Sequence, residues 1–302
     1  MAAYEHITGN VNIGNTKGDA SHSRFANQYQ VPGIENVPRS GGLTSDAHVL
    51  GLFYAMLLPV PFVFLMTRGL RTSHKLLFAA VFIMGAAGMV LSFSRSGWLS
   101  FAIGITIALG VIVFRWREPR ALGIVFLVLI ATSLLYPQIY SYVYMKLFES
   151  PSGLIDARIE MIQSAMDVWK KHFLFGYGPG NYIDALKDPD IKVVGRGDLI
   201  VHNLFMHIAA EKGLFGLLTY YGVIFFAIFR CFKYIMSEDL LVRGMSLAIM
   251  AALIAYVLDG VTDPLGREAE PYALLWIYIG IVMALGRIVD NKARTVSDGA
   301  AT

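Results

Sequence analysis

His202 opens the run His202-Asn203-Leu204-Phe205, where a polar loop of about sixty residues gives way to an apolar stretch. An imidazole is neutral near pH 7 and can take a proton from a hydroxyl group. Two arginines are placed comparably, Arg95 in Ser94-Arg95-Ser96-Gly97 and Arg158 in Asp156-Ala157-Arg158. A guanidinium offers a planar fork of donors that matches phosphate oxygens. Together they could bind a phosphate-bearing ligand and accept a proton beside it. Each residue also has a plainer role. Arg95 would serve as an interfacial arginine, Arg158 as a partner of Asp156 or Glu160, and His202 as a histidine bonded to backbone.

The elements that must hold these residues are apolar. Of 302 residues, 56% are hydrophobic and 16% charged, against roughly a quarter charged in soluble domains. The mean hydropathy is +0.56. Seven stretches are long enough to cross a hydrocarbon core about 30 Å thick: 47–67, 76–93, 97–114, 120–136, 203–229, 244–259 and 271–287. The fifth exceeds what a bilayer needs, so its first turns project from the membrane or tilt within it. The fold class expected is therefore an all-α integral membrane protein, with one large loop between the fourth and fifth helices.

Cations set the orientation. Arg68, Arg71 and Lys75 fill one link, then Arg115, Arg117 and Arg120, then Arg230, Lys233 and Arg243, then Arg287, Lys292 and Arg294. All four groups fall on one side, which the positive-inside rule makes cytoplasmic. The chain then divides into an extracytoplasmic polar tail (1–46), helices one to four (47–136), an extracytoplasmic loop (137–202), helices five to seven (203–287) and a cytoplasmic tail (288–302). Residues 1–46 hold no apolar core of a cleavable signal. An outside N-terminus then implies either unaided translocation of the tail or helices upstream of it, and we favour upstream helices. The net charge of +3 follows membrane topology, which argues against nucleic acid as a partner. Cys231 is the single cysteine and is expected as a small apolar residue at the end of a span.

Arg95 sits in a turn between two apolar helices, too short to leave the membrane surface, where an arginine needs a partner or a wet cavity. Arg158 is expected in the first turn of a helix capped by Asp156, with Ile159, Ile162, Met166 and Trp169 as a packing stripe. A helix N-terminus with an arginine on it would attract phosphate. Phe175-Gly176-Tyr177-Gly178-Pro179-Gly180-Asn181 follows, whose glycines permit unusual turns. It reads as a structural turn, or as a source of free amides for phosphate. It lacks the continuation of a P-loop. His207 and Glu211, four apart, are expected to pair. The other histidines, His6, His22, His48, His74 and His172, have no metal-ligand spacing, and no zinc motif occurs, so no metal site and no cofactor are expected. Asp259, Asp263, Arg267, Glu268 and Glu270 read by default as a solvated charged loop.

Taken in order, Ser94-Arg95-Ser96-Gly97, Arg158 before Trp169, the Gly176/Gly178/Gly180 turn, and His202-Asn203 ahead of Glu211-Lys212-Gly213-Leu214-Phe215-Gly216 resemble the O-antigen ligase and O-antigen polymerase superfamily. Arg39-Ser40-Gly41-Gly42 before Asp46-Ala47-His48 resembles the family's segment ahead of an earlier span, although asparagine is more usual at position 48. The resemblance covers roughly residues 39 to 287. Members generally have ten or more spans, so it implies N-terminal helices beyond the seven. It also implies a membrane-embedded, GT-C-like glycosyltransferase architecture and metal-independent, inverting transfer. The donor would be a glycan on undecaprenyl pyrophosphate, and the acceptor hydroxyl would lie on lipid A core, a second lipid-linked glycan or a protein. The setting would be surface polysaccharide or lipopolysaccharide synthesis at a bacterial inner membrane, with the active face extracytoplasmic. The family's functional arginines fall on Arg95 and Arg158, as pyrophosphate ligands, and its functional histidine on His202. Two readings compete with an enzyme: a transporter or channel, and an inactive membrane scaffold. The spans are nearly free of midplane charge, unlike most transporters.

Overall fold

A computed structural model describes residues 28–31, 34–38, 44, 46–118, 123, 153–191, 193 and 200–299. Six helices are long and apolar enough to cross a membrane: Ala47–Met66, Thr72–Leu91, Arg95–Phe114, Leu204–Tyr234, Leu240–Asp259 and Ala269–Val289. They coincide with six of the seven expected spans. The expected span 120–136 lies outside the described residues apart from Gly123, as do most of the tail and, in the loop, residues 137–152, 192 and 194–199. The protein is an all-α integral membrane protein in its apolar body. A short hairpin in the tail was not anticipated: β1 (Gln28–Val31) pairs antiparallel with β2 (Ile34–Pro38), Val31 opposite Ile34.

The described residues form two compact units, one within Met1–Ala108, Val223–Asp259 and Leu265–Thr302, the other within Leu109–Gly222 and Gly260–Pro264. In the first unit, α1 (Ala47–Leu57) and α2 (Pro59–Met66) make one span. Asp46 caps it, its side chain accepting from the His48 amide at 2.6 Å. Pro59 stands at the first position of α2, the one place in a helix where its missing N–H is harmless. Packed around this span are α3 (Thr72–Leu91), α8 (Leu240–Asp259) and α9 (Ala269–Gly299). The Tyr278 hydroxyl donates to Met56 O at 3.0 Å, giving a polar group inside the apolar body the partner it requires. Cys231 is buried, as expected.

The second unit holds α5 (Gly153–Lys171), the short α6 (Tyr182–Ala185) and the first part of α7 (Leu204–Tyr234). Its core is made of Ala165, Val168, Tyr182, Ala185, Val201 and Ala210. Small residues on α5 and α7 allow close approach, and Tyr182 fills the remaining space. Ile162 joins this core, whereas Ile159 is exposed and Trp169 stacks on Phe173. The packing face of α5 is therefore rotated from the stripe expected. Lys171 Nζ reaches Asp188 at 2.7 Å and Asp190 at 3.0 Å, an exposed cluster that fixes position more than it stabilises.

α7 is broken at Gly213, whose φ of 65° and ψ of −167° leave the helical region. Only glycine adopts that conformation readily. The backbone groups freed by the break are taken up by the glycine-rich turn. Tyr177 N donates to Ala210 O and Gly178 N to Glu211 O, both at 2.9 Å. Leu214 N donates to Phe173 O at 2.8 Å and Phe215 N to Leu174 O at 3.2 Å. A Cβ on Gly176 would strike the backbone of Glu211 and Lys212, and one on Gly213 the carbonyl of Leu174. Two sequence motifs that read as separate are thus one interlocked joint.

Candidate functional site

His202 precedes α7 by two residues, and Asn203 is the cap of that helix. The Asn203 Oδ1 accepts from Met206 N at 2.9 Å, while its Nδ2 donates to Val261 O at 2.9 Å. Leu204 N adds a bond to Gly260 O at 2.7 Å. Asparagine suits this position because an amide can accept and donate at once, whereas a capping aspartate carboxylate can only accept. Together the two links pin the segment Gly260–Pro264 to the start of α7.

That pin sets Asp263 beside His202. Nδ1 of His202 lies 3.7 Å from Asp263 Oδ1, with the imidazole 41% and the carboxylate 11% exposed. This is a short step beyond hydrogen-bond length, and among the described residues Nδ1 has no other hydrogen-bond partner. Burial holds the His202 pKa below its ordinary 6.5; Asp263 pulls it up and the Arg158 charge pushes it down. The imidazole is therefore neutral at pH 7, with an anion in place for the proton it would gain.

Arg158 lies on α5 and is exposed, and among the described residues it forms no ion pair with Glu160. The expected cap at Asp156 is corrected: α5 begins at Gly153, so Arg158 stands in the second turn, away from the free amides of the N-terminus. The glycine-rich segment is a structural turn, the first of its two expected readings. The amides of Gly176, Tyr177 and Gly178 bond to His172 O, Ala210 O and Glu211 O, so they are not open to phosphate. The second correction concerns the last charged loop. Asp259 and Asp263 are buried rather than solvated, while Arg267 is half-exposed.

His207 and Glu211 pair as expected, Nε2 to Oε1 at 3.4 Å, both buried, with the Tyr182 ring edge-on to the imidazole at 5.5 Å. They stiffen the first part of α7. His172 sits edge-on to Tyr177 at 5.0 Å.

Arg95 belongs to the other unit. It is the first residue of α4 (Arg95–Phe114) and is exposed, without an ion pair among the described residues. Its turn is tightly specified. Phe93 takes a φ of 50°, Ser94 Oγ accepts from Gly97 N at 3.3 Å, and Trp98 Nε1 donates to Met89 O at 2.8 Å. A Cβ on Gly97 would lie 2.8 Å from the Gly51 carbonyl carbon, so α4 starts in backbone contact with α1. Ser94 Oγ also approaches His48 Nδ1 at 3.5 Å. His202, Asp263 and Arg158 thus belong to one unit and Arg95 to the other, where its turn is rigidly seated. Asp263 escaped sequence reasoning because it stood in a crowd of five charges. The signal that could have found it was Asn203, whose two-sided hydrogen bonding calls for a second strand of backbone.

Among the described residues no group of three or more histidine, cysteine, aspartate or glutamate side chains could hold a metal ion. Six spans and a histidine–aspartate pair at the start of one of them define a polytopic membrane protein with a polar site at the end of a span. Residues 78–221, a little under half of the chain, match the family model described as O-antigen ligase. That stretch contains Arg95, Arg158, His202 and both glycine motifs, and it bears out the resemblance drawn from them. The match supports an O-antigen ligase-like function in general, with glycosyltransferase-like chemistry on lipid-linked glycans and acceptors. No curated protein matches the chain.

Proposed function

We propose that this protein transfers a glycan from undecaprenyl pyrophosphate to an acceptor hydroxyl at the extracytoplasmic face of a bacterial inner membrane. His202 removes the proton of the acceptor hydroxyl. The resulting oxygen nucleophile attacks the anomeric carbon from the face opposite the pyrophosphate, so that carbon inverts. The C–O bond to the pyrophosphate breaks, and the leaving group departs with the electron pair. Arg158 and Arg95 neutralise the charge that develops there, which lets the step run without a divalent cation. Asp263 stabilises the imidazolium that forms, and Asn203 holds Asp263 in place.

The observation that carries this reading is the placement of His202. It is partly buried and faces the Asp263 carboxylate at 3.7 Å, and burial favours its neutral form. A base poised to be neutral with a counter-anion ready is what hydroxyl activation requires. The test is transfer from a lipid-linked glycan in reconstituted vesicles with EDTA present. Wild-type transfer should continue in EDTA, and His202→Ala should lose on the order of a hundredfold in turnover. Full transfer by His202→Ala at ordinary expression would sink the proposal.

A further inference from the structure

α7 changes character at its break. From Leu204 to Lys212 every side chain is buried or half-buried. From Phe215 onward large apolar side chains are open, at Phe215, Leu218, Phe225, Phe229 and Phe232. Their spacing of three, four or seven keeps them on one face, the mark of a helix side turned to lipid. Leu214 to Tyr234 rises about 31 Å at 1.5 Å per residue, the thickness of a hydrocarbon core. Arg230 and Lys233 stand near its far end, where long cations reach the interface. The hydrocarbon boundary therefore falls at Gly213 rather than at Leu204. The extra length of this span is the segment Leu204–Lys212, which runs about 14 Å along its axis beyond that boundary.

Phe173, Leu174 and Phe175 are fixed at the same level. The first two present their carbonyls to Leu214 N and Phe215 N, and the Phe175 ring lies 5.4 Å from that of Phe215. All three side chains are exposed, Phe175 by 73%. A run of this kind open to water marks a contact surface. Here it continues the lipid-facing stripe of α7 without a gap. The backbone also meets the condition for irregular chain at membrane depth, since Gly176, Tyr177 and Gly178 all donate to named carbonyls. Lys171, the nearest charge on the α5 side, turns instead to Asp188 and Asp190.

We propose that Phe173-Leu174-Phe175 is a lipid-inserted turn, seated among the acyl chains of the leaflet on the His202 side. It anchors the polar loop to the bilayer and sets the height at which α5 presents Arg158. This inference rests on the membrane-spanning fold and not on the transfer chemistry, so either can fail alone.

The test is depth measurement on the full chain in phosphatidylcholine–phosphatidylglycerol vesicles, in a Cys231→Ala background. Single cysteines at Phe175, Leu218 and Lys187 carry a nitroxide label. Collision with oxygen should dominate over collision with a water-soluble nickel chelate at Phe175, as at Leu218, and the order should reverse at Lys187. Leu174→Cys supplies a second position should the Phe175 variant fold poorly. Labels at both positions as open to nickel as Lys187 would overturn the proposal. Labels shielded from both reagents would overturn it equally, in favour of a covering protein.

Discussion

At the scale of single residues, the sign of each electrostatic contribution to His202 makes the site testable. Because burial lowers its pKa, transfer should be constant near neutrality and fall as pH drops through a value below 6.5. Removing the anion with Asp263→Asn takes away the contribution that raises this pKa, so the acid limb should move to lower pH while the maximal rate falls. Arg158→Gln takes away a contribution that lowers it, so the limb should move to higher pH. Opposite displacements in a pH–rate profile are a readout that general loss of folding does not produce. No displacement in either variant would remove Asp263 and Arg158 from the account. The arginines carry a separate prediction. Arg95→Lys and Arg158→Lys keep the charge but lose the bidentate fork, so each should sharply reduce transfer. If both serve one pyrophosphate, the double variant should lose less than the two single losses combined. His172→Ala, at a histidine set edge-on to Tyr177, should leave turnover nearly unchanged in the same assay.

At the scale of elements, the joint between the glycine turn and the broken α7 is the feature most exposed to substitution. Gly213→Ala and Gly176→Ala each impose a positive φ on a residue with a Cβ, which costs on the order of 1–3 kcal/mol. Each would also drive that Cβ into backbone that cannot step aside. Both should lower the thermal unfolding midpoint in detergent, whereas Gly222→Ala, where a Cβ meets nothing within 4 Å, should not. Equal midpoints for all three would mean that the joint does not exist. Residues 211–216 and 175–181 were legible as motifs, and their glycines as turn formers. Their pairing was not. A hydrogen bond from Tyr177 to Ala210 joins positions 33 apart, and local propensity carries no information about such a bond. The α5 start was misplaced for the converse reason. Asp156 is a good capping residue by type, but the helix already runs from Gly153, so the residue lies within it.

At the scale of the whole molecule, the arginine-rich links should all lie on one side and the loop that carries Arg158 on the other. Single cysteines at Lys187 and Ser73, both exposed, test this in intact cells in the Cys231→Ala background. An impermeant maleimide should label position 187 and spare position 73. The reverse pattern would place His202 in the cytoplasm and exclude transfer at the extracytoplasmic face.

Six of the seven spans were legible because hydrophobic length is a one-dimensional property, summed over neighbours along the chain. The kinds of group at the site, one imidazole and two guanidinium forks, were equally legible, since side-chain chemistry is local. Only the tertiary structure decided what surrounds them. It selected Asp263 from five nearby charges through the Asn203 pin, and it closed the glycine-turn amides with the carbonyls of α7. It also broke α7 at Gly213, where side chains covered by other elements give way to exposed ones. Each of these is a contact between residues far apart in sequence. No periodicity or propensity encodes such contacts; the packing of the chain on itself does.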